Sequence, residues 1–137
     1  MSRSIGDRLP DPLLAALAAP SAAERAVVAL TVDAAGRPHP ALLTYASVRP
    51  HEDSALRMEF APNSASAANL RANGVLTLAF VDETMAYYVK CGDAALDGGD
   101  ERTARFLLRV EDVLVDAPAA HEVGASIRTG ITFRGGI

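Results

Sequence analysis

Phe60-Ala61-Pro62-Asn63-Ser64-Ala65-Ser66-Ala67-Ala68-Asn69-Leu70-Arg71-Ala72-Asn73-Gly74-Val75-Leu76-Thr77-Leu78 decides how this chain is read. An apolar strand runs into Asn63-Ser64-Ala65-Ser66, a short helix follows, Asn73-Gly74 stops it, and a second apolar strand begins. A helix that opens on serines directly after a strand presents backbone amides and hydroxyls to an anion, typically a phosphate. The same serines also serve as N-caps, which is their commoner role.

Working outward, Ala55–Ala61 alternates Leu56, Met58 and Phe60 with Ala55, Arg57 and Glu59, the period of a half-buried strand. On the other side, Val75–Val81 is apolar apart from Thr77, which predicts a central strand covered on both faces. Asp82-Glu83 turns it into a strand over Met85–Cys91, and Gly92 predicts a bulge. Leu96–Asp100, with Gly98-Gly99, reads as a loop. Thr103–Val115 is a long strand whose apolar positions change parity between Val110 and Val113, so a bulge near Glu111-Asp112 keeps one face buried.

Toward the N-terminus, Ala26–Val32 is apolar and rich in β-branched residues, and Asp33-Ala34-Ala35-Gly36 returns the chain through His39 to Val48 as a hairpin. Arg49–Ser54 is a loop. Asp11 before Pro12 reads as an N-cap, with a helix over 12–19 ended by Pro20. Residues 118–123 read as a short helical link and Ile131–Phe133 as a last edge strand. Short connections cannot make parallel crossovers, so the expected fold is mainly β, a six- to seven-stranded antiparallel barrel with few short helices.

With 137 residues the chain is one domain by size, a core over 25–116 with an N-terminal helix and an extension over 117–137. Thirteen basic and seventeen acidic residues give a net charge of −4, with no basic cluster to track a nucleic-acid backbone. One cysteine, Cys91, allows no internal disulfide, no apolar run approaches the ~20 residues of a membrane span, and the N-terminus lacks a signal-peptide core. A soluble cytoplasmic protein is expected, bound neither to nucleic acid nor to membrane. His39, His51 and His121 lie far apart without accompanying acidic ligands, so no metal site is expected. Ser64 and Ser66 have no nucleophile elbow, Asp97-Gly98-Gly99-Asp100 lacks the acidic alternation of a calcium loop, and Cys91 reads as a packing residue.

The order of elements, with His39-Pro40-Ala41-Leu42-Leu43 on the hairpin, Asn63-Ser64 after a strand, Asn69-Leu70-Arg71 on the helix and Tyr87-Tyr88-Val89-Lys90-Cys91-Gly92 after the central strand, resembles the pyridoxamine 5′-phosphate oxidase-like family. The likeness covers roughly residues 25–116. It implies a Greek-key split barrel, a homodimer, and FMN in a cleft between subunits with its phosphate near the helix start. Family members grip that phosphate with an arginine-lysine pair after the serine and with basic residues on the second strand. This chain has Ala65 and Ser66 at the first place, and His39 and Thr44 near the second.

Arg57, Arg71 and Lys90 are the replacement cations nearest to hand; Thr44 and Ser47 hydroxyls reach toward a ring edge; Tyr87 or Tyr88, on opposite faces of their strand, offers one residue to stack or hydrogen-bond and one for the core, with Tyr88 assigned to the site. With Ser64, Ser66 and Asn69 these form the expected cofactor-binding set, and no catalytic residue is assigned. Nothing after Asp116 matches the segment that holds pyridoxamine phosphate, so oxidation of that substrate is not expected. Three readings follow: an FMN-dependent oxidoreductase acting on a small molecule, a non-enzymatic module for haem, deazaflavin or another planar ligand, and a cofactor-free dimer.

Overall fold

Strand β1 (Ser2–Ser4) opens the chain and pairs with the end of its last strand, Ser4 opposite Leu114; the computed structural model describes residues 2–116 and 125–134. The link expected over 118–123 and His121 lie outside the described residues. Helix α1 (Asp11–Ala18) has Pro10, not Asp11, at its N-cap, without a side-chain cap. It therefore begins one residue before the expected Pro12. Pro12 costs no hydrogen bond there, because first-turn amides have no intrahelical acceptor. Leu13 and Leu17, four residues apart, share one face and are buried.

After a 3-10 turn at Pro20–Ala23 come β2 (Ala26–Val32) and β3 (Pro38–Thr44), the expected hairpin, in register from Ala26↔Thr44 to Val32↔Pro38. Asp33 makes the turn: its Oδ1 accepts the amides of Ala35 and Arg37, each at 2.9 Å. The return strand stops at Thr44, whose Oγ1 accepts the Ser47 amide at 3.2 Å and caps a 3-10 turn over Tyr45–Ser47. β4 (Arg49–Pro50) and β5 (Ala55–Phe60) follow, with Leu56, Met58 and Phe60 buried as the alternation predicts.

Helix α2 (Ala65–Asn73) starts where its serine predicts: Ser64 is the N-cap, its Oγ accepting the Ala67 amide at 3.1 Å. Gly74 ends it in the left-handed region, φ +72°, with its amide on the Leu70 carbonyl at 3.0 Å. A Cβ there would also lie 3.3 Å from the Ala94 amide nitrogen, so glycine serves both the cap and a close approach. α2 packs on β2 and β7, burying Ala67 and Leu70.

β6 (Leu76–Asp82), β7 (Met85–Gly99) and β8 (Ala104–Asp116) complete an antiparallel sheet ordered β3-β2-β6-β7-β8-β5-β4. The sheet curls into a half-barrel around the core, leaving a split between its two end strands. Among the described residues Leu13, Val27, Leu56, Leu78, Phe80, Phe106 and Leu108 are among the fully buried, and Tyr45 meets Phe80 edge-on at 5.1 Å.

Four further expectations change. The loop expected over Arg49–Ser54 begins as strand, with Arg49 and Pro50 paired to Arg57 and Leu56. Leu96–Asp100 is not a loop: β7 runs on to Gly99, with Leu96 opposite Phe106 and Gly99 opposite Ala104, because pairing with β8 overrides the glycines' local preference. β6 is central in the sheet, yet only Leu76, Leu78, Phe80 and Asp82 are buried, while Thr77, Ala79 and Val81 on the outer face are half-buried. The edge strand at 131–133 contracts to one bridge, Thr132 with Arg25, flanked by Ala26 N–H donating to Ile131 C=O and Phe133 N–H to Glu24 C=O. The Glu111 bulge is present: Lys90 faces Asp112 while Cys91 faces Val110, so Val110 and Val113 both turn inward.

The end strands carry prolines. Pro38 and Pro40 lie opposite Val32 and Leu30 on β3, and Pro50 ends β4.

Candidate functional site

The split in the sheet opens a crevice of about 770 Å³. One wall is the end of β3 and the turn after it (Thr44, Ala46, Ser47); the other is β4, β5 and the β7–β8 hairpin, with Arg49, Arg57, Glu59, Asp97, Thr103 and Arg105. Its volume lies within the ~300–1,000 Å³ typical of small-molecule sites. Three arginines face two carboxylates, so its charge is net positive.

The arginines arrive by register. Arg49 on β4 lies directly opposite Arg57 on β5, and Glu59 directly opposite Arg105 on β8. Asp97 organises two of them: Arg57 Nε donates to Asp97 Oδ2 at 2.9 Å, and Arg105 Nε to the Asp97 carbonyl at 3.0 Å. Arg105 lies across Gly98, where a Cβ would come within 2.6 Å of the flexible Nη2 end, and φ +115° at that position favours glycine. The hairpin end is tied by Asp100, whose Oδ1 accepts the amides of Arg102 at 2.7 Å and Thr103 at 2.9 Å. On the facing wall the Thr44 and Ser47 hydroxyls are 2.8 Å apart.

Of the nine residues the sequence nominates, Thr44, Ser47 and Arg57 come together in this crevice. Ser64 stands three residues beyond Ala61, which lines it, but its hydroxyl both donates to the Ala61 carbonyl at 2.7 Å and caps α2. Ser66 is buried in the first helical turn. Asn69 Nδ2 donates to Thr31 Oγ1 at 3.0 Å, and Arg71 Nη1 to the Pro62 carbonyl at 2.8 Å. Tyr88 and Lys90 lie elsewhere, on the outer face of β7. Tyr88 shares a row with Leu42, Val28, Ala79 and Leu114, three strand spacings or roughly 14 Å from β3. Its hydroxyl donates to Asp116 Oδ2 at 2.6 Å, which raises the phenol's pKa, and it lines a second cavity of about 490 Å³. Tyr87 packs on the core side.

Sequence reading overlooks Arg49 and Arg105. The alternation that put Arg57 and Glu59 on the wet face of β5 is the one signal that could have found Arg105, once β8 is paired to it.

A second charged cluster gathers where the turn after β3 meets the β6–β7 turn. Asp82, 2 % exposed, accepts the Tyr45 hydroxyl at 3.0 Å and lies 3.3 Å from Arg25, which also forks onto Glu83 at 2.8 and 3.2 Å. Asp82 Oδ1 accepts the Thr84 amide and hydroxyl and the Met85 amide. Burial pushes the Asp82 carboxyl up, but the hydrogen bonds from Thr84 and Tyr45 and the Arg25 charge outweigh it, so its pKa falls below the ordinary value. Glu83 is drawn down to about 2, chiefly by Arg25, and burial raises the Tyr45 phenol well above its usual range. Cys91 is buried and its thiol is pushed up to about 12 by burial and by Glu111, which leaves it protonated and a poor nucleophile at neutral pH. Among the described residues there is no group of three or more His, Cys, Asp or Glu positioned for a metal ion, and no helix is long and apolar enough to cross a membrane.

No family model and no curated protein matches the chain. Solved structures do. A candidate pyridoxamine 5′-phosphate oxidase from Lactobacillus delbrueckii aligns at 16 % identity over 81 % of this chain and 98 % of its own, with a TM-score of 0.65. An F420 reductase aligns at 14 % identity over 77 % of this chain and 98 % of its own, TM-score 0.57. The flavin reductase of the styrene monooxygenase from Pseudomonas putida S12 aligns at 11 % identity over 82 % and 88 %, TM-score 0.56. Strand order, the open split and these alignments agree: the chain has the fold of the pyridoxamine 5′-phosphate oxidase-like split barrels.

Proposed function

We propose that this chain binds a flavin-type cofactor in the crevice at the split and serves oxidoreductase chemistry on a small molecule, with FMN the first cofactor to test. The observation that carries this reading is the net-positive crevice of about 770 Å³ between β3 and β5. Its residues fit such a group: guanidinium donors suit an anionic tail, and paired hydroxyls at Thr44 and Ser47 suit a polar ring edge. The likeness of the fold to an F420 reductase and a flavin reductase supports a flavin or deazaflavin over an unrelated ligand.

A bound flavin would supply the hydride or electron transfer. The chain's own part is to hold and orient. Arg57, fixed through Nε to Asp97, keeps its guanidinium plane in place before any ligand arrives, which lowers the ordering cost of binding. Thr44 fixes the turn that carries Ser47, so both hydroxyls stay on one wall. A second copy of the chain completes the site in this proposal, covering the outer sheet face, where Val28, Leu30, Ala79, Val81 and Tyr88 are half-buried and Leu42 is 50 % exposed.

Freshly purified protein should be yellow or take up added FMN with quenching of flavin fluorescence, and should sediment as a dimer. Colourless protein that takes up neither FMN, FAD nor F420 at high micromolar concentration would end the cofactor reading, and a monomer in sedimentation would end the shared site.

A further inference from the structure

We infer that the anionic end of the ligand is held on the β4–β5–β8 wall by Arg49, Arg57 and Arg105, not at the start of α2, and that the group they take is a phosphate monoester. This rests on the crevice being a ligand site, as proposed above.

The register states the case first. Two arginines placed directly opposite on neighbouring strands repel each other, and such pairs are destabilising unless a counter-charge lies between them. Arg49 and Arg57 stand in that relation at the crevice wall. Among the described residues the one carboxylate ion-paired to either of them is Asp97, which bonds Arg57 and is shared with Arg105, at 4.0 Å from its Nε. Among the described residues the Arg49 side chain makes no hydrogen bond or ion pair.

The bonding pattern states it again. Arg57 and Arg105 are each tethered through Nε alone, and among the described residues none of their Nη atoms is hydrogen-bonded. Each guanidinium is thus fixed at its inner edge and keeps its outer donors for another partner. The glycine beneath Arg105 makes room for that placement.

The helix start is spent by comparison. Ser64 uses its hydroxyl as both donor and acceptor within its own turn, Arg71 is bonded to the Pro62 carbonyl, and Asn69 to Thr31. What remains there is backbone only.

Three guanidinium groups against two carboxylates, Asp97 and Glu59, leave the wall net positive, and the outer donors of Arg57 and Arg105 together with those of Arg49 match the three acceptor oxygens of a phosphate monoester better than the two of a carboxylate. That describes a phosphate monoester, whether the terminus of a mononucleotide such as FMN or another phosphorylated small molecule.

The test compares FMN with riboflavin, which lacks the phosphate, on the wild-type protein and on Arg49→Gln, Arg105→Gln and Ser64→Ala, each checked for folding by circular dichroism. The wild type should bind FMN at least about tenfold more tightly than riboflavin. Arg49→Gln and Arg105→Gln should each weaken FMN by about tenfold to a hundredfold and leave riboflavin unchanged, the range for one charge-assisted hydrogen bond. Ser64→Ala should keep the FMN-to-riboflavin ratio. A ratio that survives both arginine changes, or collapses only in Ser64→Ala, overturns the inference. Equal binding of the two flavins to the wild type overturns it as well, while leaving the flavin reading intact. If neither flavin binds, the flavin reading fails, and inorganic phosphate decides the rest. Phosphate-induced shifts of arginine Nε–H resonances that vanish in Arg49→Gln support the seat; no shifts overturn it. Phosphate competing with FMN identifies the mononucleotide tail as occupant, whereas phosphate binding without flavin binding points to another monoester.

Discussion

The two arginine clusters are opposites. Around Arg25, one guanidinium meets two carboxylates, one of which also accepts a buried tyrosine hydroxyl, and the groups answer one another inside the protein. Around Arg57, three guanidiniums line an open crevice with two carboxylates, Asp97 shared by Arg57 and Arg105, and Glu59 opposite Arg105. A closed cluster pins the 3-10 turn after β3, the β6–β7 turn and the C-terminal bridge together, so its value is structural. An open one is offset only when something else binds, so its value is in recognition.

Removing the hub of the closed cluster should break that contrast most. Asp82→Ala strands the Tyr45 hydroxyl, the Thr84 and Met85 amides and one face of Arg25, and should cost about 3–5 kcal/mol, read by urea denaturation. A loss below about 1 kcal/mol would mean the cluster is decorative.

Acid probes the same cluster. Asp82 and Glu83 are held below their ordinary values, so they contribute stability that is full at neutral pH and is withdrawn as pH falls from the usual carboxylate range toward about 2. The melting temperature should drop over that window in the wild type and less steeply in Arg25→Gln. Parallel curves would remove Arg25 as the cause.

Tyr45→Phe deletes one hydrogen bond and keeps the ring against Phe80, so it should cost about 1 kcal/mol in the same denaturation assay. The smallest effect belongs to the open cluster, with the opposite sign. Arg49→Gln relieves a like-charge pair and should raise stability by a few tenths of a kcal/mol without ligand, or leave it unchanged. A clear destabilisation would show that Arg49 already has a structural task.

Much of this fold is written locally. The β2–β3 hairpin follows from a β-branched run and an Asp33 turn, α2 from a serine cap and an Asn73-Gly74 stop, and the Glu111 bulge from a change of parity. Gly98-Gly99 misled because glycine marks loops in isolation, while here it admits a neighbouring arginine within a paired strand. The site was harder. Arg49, Arg57 and Arg105 meet only through two inter-strand registers, and the Arg25–Asp82–Tyr45 cluster through three separate turns. No short window of sequence holds such information, whereas Thr44, Ser47 and Arg57 were within reach because they flank a single turn and strand.

The prolines on the end strands restrict how this molecule associates. Asp33 N–H bonds to Arg37 C=O, which makes residues 38, 40, 42 and 44 the positions whose backbone faces away from β2, and two of those four are proline. Pro50 likewise withholds a donor at the opposite border. Each margin thus lacks some of the donors an incoming chain would need to extend the ladder, which guards against runaway fibrous stacking. Broadside contact, surface on surface, is the mode of association that these prolines leave unhindered.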